Sequence, residues 1–159
     1  MNQPNSRTIL AVDSDARTRT LLEITLTAEG YNTYVVGEPD AAFEILELFP
    51  DIVIFDDVTF GPTTSDFIAY ARSLEPHPDM IFMTTRDDAA ARARSLGIRI
   101  SIVKPFDPTR LFRLVTQCPR FTPTGTQIAP AVGFTPASKK HPIPKMAAIG
   151  KQLHGRSGS

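Results

Sequence analysis

Four apolar residues, Ile52-Val53-Ile54-Phe55, follow one another without a polar break and run straight into two carboxylates, Asp56 and Asp57. A short run of this kind, rich in Ile and Val, predicts a strand buried on both faces. That is the condition of a strand inside a parallel sheet covered by helices. In open α/β sheets the carboxyl end of such a strand opens into the crevice where ligands bind. Asp56 and Asp57 therefore stand where chemistry is expected.

The rest of the chain repeats the pattern. Ile9–Val12 is a second apolar run and ends in Asp13-Ser14-Asp15. Tyr31–Val36 is β-prone. Met80–Met83 ends in Thr84-Thr85, and Ile98–Val103 ends in Lys104-Pro105. Helical patterns separate these runs. Residues 16–29 carry Leu21, Leu22, Ile24 and Leu26 and close at Gly30. Pro39 opens a helix whose expected buried face is Ala42, Ile45, Leu46 and Phe49. A loop over residues 58–65, holding Gly61 and Pro62, leads to a third helix with Phe67, Tyr70, Ala71 and Leu74 inward, stopped by Pro76 and Pro78. Asp87 is the expected cap of an Ala- and Arg-rich helix that runs to Leu96 and closes at Gly97. Asp107-Pro108 is an N-cap and first-turn pair, and Leu111, Leu114, Val115 and Cys118 form the face of the last helix.

Strict alternation of strand and helix, five times over, predicts a doubly wound (βα)5 α/β fold, a flavodoxin-like three-layer sandwich with parallel strand order 2-1-3-4-5. Its crevice lies between strands 1 and 3, which brings Asp13 and Asp15 beside Asp56 and Asp57.

Charge divides the chain in two. Residues 1–118 hold 11 of the Lys and Arg and all 17 Asp and Glu, a net charge of −6; residues 119–159 hold 6 Lys and Arg and no acid, a net charge of +6. The first part reads as the folded domain, from residue 7 to residue 118. The second, rich in Pro, Ser, Thr and Gly, reads as a disordered basic tail with at most a short helix over 144–153. Its charges are spread out and lack interleaved aromatic residues, so no direct nucleic-acid partner is expected. Neither a signal-peptide core nor a membrane span is expected, and the lone Cys118 suits a reducing compartment. A cytoplasmic protein is the expectation.

The strand ends together offer several carboxylates, a Thr hydroxyl and the Lys104 ammonium. Crowded carboxylates need a cation, and Mg²⁺ takes hard oxygen ligands while keeping several waters. A dication and a lysine together stabilise a transferring phosphoryl group, and a carboxylate can be the nucleophile that receives it.

Four motifs in order, Ile9-Leu10-Ala11-Val12-Asp13, Pro50-Asp51-Ile52-Val53-Ile54-Phe55-Asp56, Met83-Thr84 and Val103-Lys104-Pro105-Phe106, resemble those of the response-regulator receiver domain of two-component signalling. The resemblance spans roughly residues 7–118. It implies that Asp56 is the phosphoacceptor and that Asp13, Asp56 and the backbone carbonyl of Val58 face Mg²⁺. It implies that Thr84 and Lys104 hold the phosphoryl group and that Pro105 occupies a cis-proline position. Asp57 falls at a variable place, and Asp15 extends the acidic loop. The implied function is a stand-alone, single-domain response regulator rather than an enzyme. It would take its phosphoryl group from a histidine kinase or a histidine phosphotransfer protein and signal to a downstream protein by contact.

Three positions depart from the family. Ser14 replaces the second acid after strand 1, which weakens the expected Mg²⁺ site. Phe60 replaces a common proline, and Ser101 replaces the aromatic switch residue three before the lysine. An alternative therefore keeps the fold as a phosphorylation-independent pseudo-receiver interaction module. A further one takes Asp13-Ser14-Asp15 as the Asp-x-Asp of a haloacid-dehalogenase-like phosphatase with Asp13 as nucleophile.

Overall fold

The structure, a computed structural model, describes residues 7–119. The expected tail lies outside the described residues apart from Pro119. The elements run β1 (Thr8–Val12), α1 (Ala16–Ala28), β2 (Asn32–Val36), α2 (Pro39–Leu46), β3 (Ile52–Asp56), α3 (Asp57–Phe60), α4 (Thr64–Ser73), β4 (Asp79–Thr84), α5 (Ala89–Ser95), β5 (Ile100–Val103) and α6 (Pro108–Thr116). The five strands are parallel, in the expected order β2-β1-β3-β4-β5. No helix among the described residues is long and apolar enough to cross a membrane.

Strand β3 is buried at all five positions, as its unbroken apolar run requires. Alternate residues divide its two faces. Ile52 and Ile54 join Ile9, Ala11, Ile81 and Met83 in an aliphatic layer under Leu22 and Leu26 of α1 and Leu111 and Val115 of α6. The opposite face is aromatic. The Phe55 ring meets Phe60, Phe67 and Phe82 at 5.5–6.0 Å between centroids, and Phe60 stacks on Phe67 at 4.0 Å. Ring pairs of this geometry add about 0.5–1.5 kcal/mol each beyond the area they bury.

Several elements differ from expectation for local reasons. Residues 58–65 are not a loop. Asp56 caps the single turn α3 by accepting from the Thr59 N–H, and a 3-10 turn (Gly61–Thr63) carries the chain into α4. In α1 the buried stripe is Leu22, Thr25 and Leu26, and Ile24 points outward at 64% exposure. Helix α2 ends at Leu46 and buries Phe43 rather than Ile45, because Phe43 packs edge-on against Phe67 at 5.3 Å. Phe49 has left the helix, with φ 55. Asp88, not Asp87, stands at the α5 N-cap, and its carboxylate is engaged by Arg86 at 3.0 Å instead of capping. Strand β5 starts at Ile100 rather than Ile98, since the Ile98 N–H closes α5 on the Ala93 carbonyl at 2.8 Å.

Candidate phosphoacceptor site

The crevice forms where β1, β3, β4 and β5 end. Parallel register sets Val12 beside Phe55 and Asp56 beside Met83, so the residues that follow reach the same edge. Asp13 continues β1 by donating its N–H to the Val36 carbonyl at 3.1 Å. Asp13, Asp56 and Thr84 are then buried almost completely, at 0%, 1% and 2% exposure.

Lys104 joins the two acids. Its Nζ donates to Asp13 Oδ2 at 2.7 Å and to Asp56 Oδ2 at 3.4 Å. Both carboxylates would be costly to bury without that ammonium. The shift of each partner reflects the contest. Burial, then repulsion from Asp13, raises the Asp56 carboxyl above the ordinary Asp range, against the Thr59 hydrogen bond and Lys104. Burial lowers the Lys104 ammonium, but the hydrogen bond and charge of Asp13, with Asp56 behind it, win and leave it raised. The Lys104 N–H donates to the Thr84 carbonyl at 2.7 Å, which sets the lysine at the edge, and the Lys104–Pro105 bond is cis.

The remaining expected residues take distinct places. Asp13 Oδ1 accepts from the Asp15 N–H at 2.8 Å, while the Asp15 carboxylate turns away to cap α1 through Thr18. Those Thr18 hydrogen bonds lower the exposed Asp15 carboxyl. Ser14 is exposed, and Arg19 Nη1 clamps the Asp13 and Ser14 carbonyls at 2.9 and 2.8 Å. The Thr84 hydroxyl accepts from the Arg86 N–H at 3.2 Å. Val58 lies in α3 and is 69% exposed. Ser101 is half-buried and pairs in register with Phe82.

One participant escaped the sequence reading. Thr59 donates its hydroxyl to Asp56 Oδ1 and accepts from the Ser14 N–H at 2.8 Å. The spacing Asp56-x-x-Thr59, an N-cap and its third helical residue, was the available signal. Asp57, at the place the family leaves variable, pairs with Arg92 of α5 at 2.9 Å. That contact joins distant segments and has no local signal.

Asp13 and Asp56 supply hard carboxylate oxygens at one edge, which suits a small dication. No third acid joins them, and no cluster of three or more His, Cys, Asp or Glu suited to a metal occurs among the described residues. The residues fit Mg²⁺ with a reduced ligand set.

The sequence profile described as the response regulator receiver domain matches residues 9–116. The chain belongs to that family. A response regulator protein from Burkholderia multivorans is 31% identical, with a TM-score of 0.56 over 74% of this chain and 98% of that one. The chemotaxis response regulator CheY4 of Vibrio cholerae shares the fold, with a TM-score of 0.64 at 21% identity over 72% of this chain and 99% of that one. The DNA-binding response regulator MtrA of Mycobacterium tuberculosis H37Rv is 33% identical over 106 residues, 65% of this chain and 46% of its own length. The chain thus spans about half the length of the curated relatives it matches. As a receiver domain it belongs to two-component signalling, in which phosphorylation on aspartate is the general property and Mg²⁺ at the acidic pocket is typical.

Proposed function

We propose that Asp56 is the phosphoacceptor of this receiver domain, and that the phosphoryl group comes from a phosphohistidine on a histidine kinase or phosphotransfer protein. The observation that carries this is Lys104 Nζ held between Asp13 and Asp56 at the strand ends. A carboxylate oxygen of Asp56 attacks phosphorus, the P–N bond breaks, and the imidazole leaves with the electron pair. Lys104 then faces the new negative oxygens and offsets their charge. Thr84, at the end of β4, supplies a hydroxyl at the same strand edge. Asp13, Asp56 and the Val58 carbonyl would hold Mg²⁺, weakly because residue 14 is serine. When bound, that ion neutralises charge on the transferring group.

The product is an acyl phosphate signal, not turnover of a substrate, so the domain acts by changing which protein it contacts. A cytoplasmic setting suits the buried free thiol of Cys118. Ser101 in the aromatic switch position favours a second reading, in which the domain binds its partner without phosphorylation. The phosphatase reading is disfavoured: its second acid, Asp15, turns its carboxylate away to cap α1 through the Thr18 N–H and hydroxyl instead of facing the crevice beside Asp13.

The test is incubation with Mg²⁺ and acetyl phosphate, followed by intact mass. Wild type gains one phosphoryl group and Asp56→Asn gains none. An unlabelled wild type, beside a labelled control receiver, sinks the acceptor assignment. If Asp56→Asn keeps full partner binding, the second reading replaces the first.

A further inference from the structure

Thr59 belongs to none of the motifs, yet three hydrogen bonds fix it in the crevice. Its hydroxyl and its N–H both donate to Asp56 Oδ1, the latter at 3.3 Å, and its Oγ1 accepts from the Ser14 N–H at 2.8 Å. A backbone N–H can only donate and a hydroxyl has one hydrogen, so the direction of the relay is set: Ser14 N–H to Thr59 O–H to Asp56 Oδ1. The two oxygens of Asp56 are thereby told apart. Neutral donors hold Oδ1, and the Lys104 ammonium faces Oδ2. Ser14 contributes through its backbone at the place where the family has an acid.

We propose that Thr59 is the positioning residue for the acceptor carboxylate, and that its hydroxyl competes with a divalent cation for Asp56 Oδ1. This rests on the reading of Asp56 as phosphoacceptor. Both lone pairs of Oδ1 already face a Thr59 donor, so a cation reaching that oxygen displaces at least the hydroxyl. The orientation that the family obtains from a third acid and its metal is supplied here by the protein's own hydrogen bonds. Removing the hydroxyl then moves two measurements in opposite directions. Cation affinity rises because Oδ1 is freed, and cation-free phosphorylation slows because the carboxylate loses its fixed plane. A purely structural role for Thr59 would not separate them.

The experiment uses the full chain with Thr59→Val, which keeps the shape, and Thr59→Ser, which keeps the hydroxyl. Mg²⁺ alone is titrated while the amide shifts of Asp56 and Val58 are followed by NMR. Thr59→Val is expected to bind about tenfold more tightly than wild type, the scale of one hydrogen bond to a charged acceptor. Thr59→Ser stays within about twofold of wild type, since the donor remains. In a second arm, acetyl phosphate is added with EDTA. Asp56 forms the new P–O bond while acetate leaves with its electron pair, and Thr59→Val labels about tenfold more slowly, with Thr59→Ser restoring the rate. If Thr59→Val binds Mg²⁺ no more tightly than wild type, or Thr59→Ser behaves like Thr59→Val, the proposal is overturned. If wild type takes no phosphoryl group under any condition, the acceptor reading falls, and the Mg²⁺ titration alone still decides whether Thr59 competes for Oδ1.

Discussion

Helices α5 and α6 flank β5 and differ by only two residues in length, seven against nine, yet they are held by different means. Asp107 caps α6 by accepting from the Arg110 N–H at 2.9 Å, and Pro108 presets its first turn. Its buried residues are Leu111 and Val115. Helix α5 has no side-chain cap and buries only Ala89 and Ala93. A buried Leu or Val contributes about 1.5–3 kcal/mol, and a methyl side chain far less. The difference teaches where a signal can move the molecule. Helix α6 is part of the core, whereas α5 rests lightly on the sheet, and its ion pair to the crevice ends on Asp57, the neighbour of the proposed acceptor.

The comparison can be pressed hardest through Cys118, which follows α6 and is buried beside it. Burial, helped by the charge of Asp79, pushes its thiol from 9.0 up to about 12. The sign follows from which form the fold prefers. The protonated thiol is favoured, so its contribution to stability is complete below the unfolded value near 9.0 and is lost as pH rises toward about 12. Because the thiolate is the reactive form, iodoacetamide at about pH 8 should modify the folded chain roughly a thousandfold more slowly than the urea-unfolded chain. Labelling at the unfolded rate would mean that the end of α6 is no better anchored than α5.

The caps give a smaller and more direct contrast. Asp107→Ala should cost about 1 kcal/mol, within the 0.5–2 kcal/mol range for lost N-caps, and lower the urea midpoint. Asp88→Ala should leave the midpoint nearly unchanged, because Asp88 makes no capping bond and its pair with Arg86 is exposed to solvent. Equal losses from the two substitutions would erase the distinction between the helices.

What the sequence disclosed follows the range of each interaction. The Asp107-Pro108 cap was legible because cap and helix are adjacent. The strand runs were legible because burial on both faces leaves an unbroken apolar stretch. With parallel strands in the 2-1-3-4-5 order, Asp13, Asp56 and Lys104 had to arrive at one edge, and they do. Contacts decided by distant partners were not legible. Phe43 is drawn inward by rings from α3 and α4, which no pattern within α2 announces. Ile24 looked like part of a stripe that the helical period turns toward solvent. The turn at α3 was half legible: Asp56-x-x-Thr59 is a capping spacing, but an Asp already assigned to chemistry was not suspected of capping as well.

The smallest predicted effect bears most directly on signalling. The Asp57–Arg92 pair makes one contact at 2.9 Å, while Asp57 Oδ1 and Arg92 Nε stay buried without a hydrogen-bond partner among the described residues. A guanidinium and a carboxylate can form two parallel bonds, so this pair is only half made. With Arg92 40% exposed, its worth is limited, and Asp57→Asn should cost under about 1 kcal/mol in global stability. The local consequence is what matters. If the pair ties α5 to the acceptor loop, Asp57→Asn should speed hydrogen exchange of the α5 amides several-fold and leave the α6 amides unchanged. Phosphorylation of wild-type Asp56 should reproduce part of that pattern, because new negative charge beside Asp57 gives Arg92 a second partner. Exchange that rises equally in both helices, or in neither, would show that the signal leaves the crevice by a route other than Asp57, and α5 would lose its claim to be the moving part.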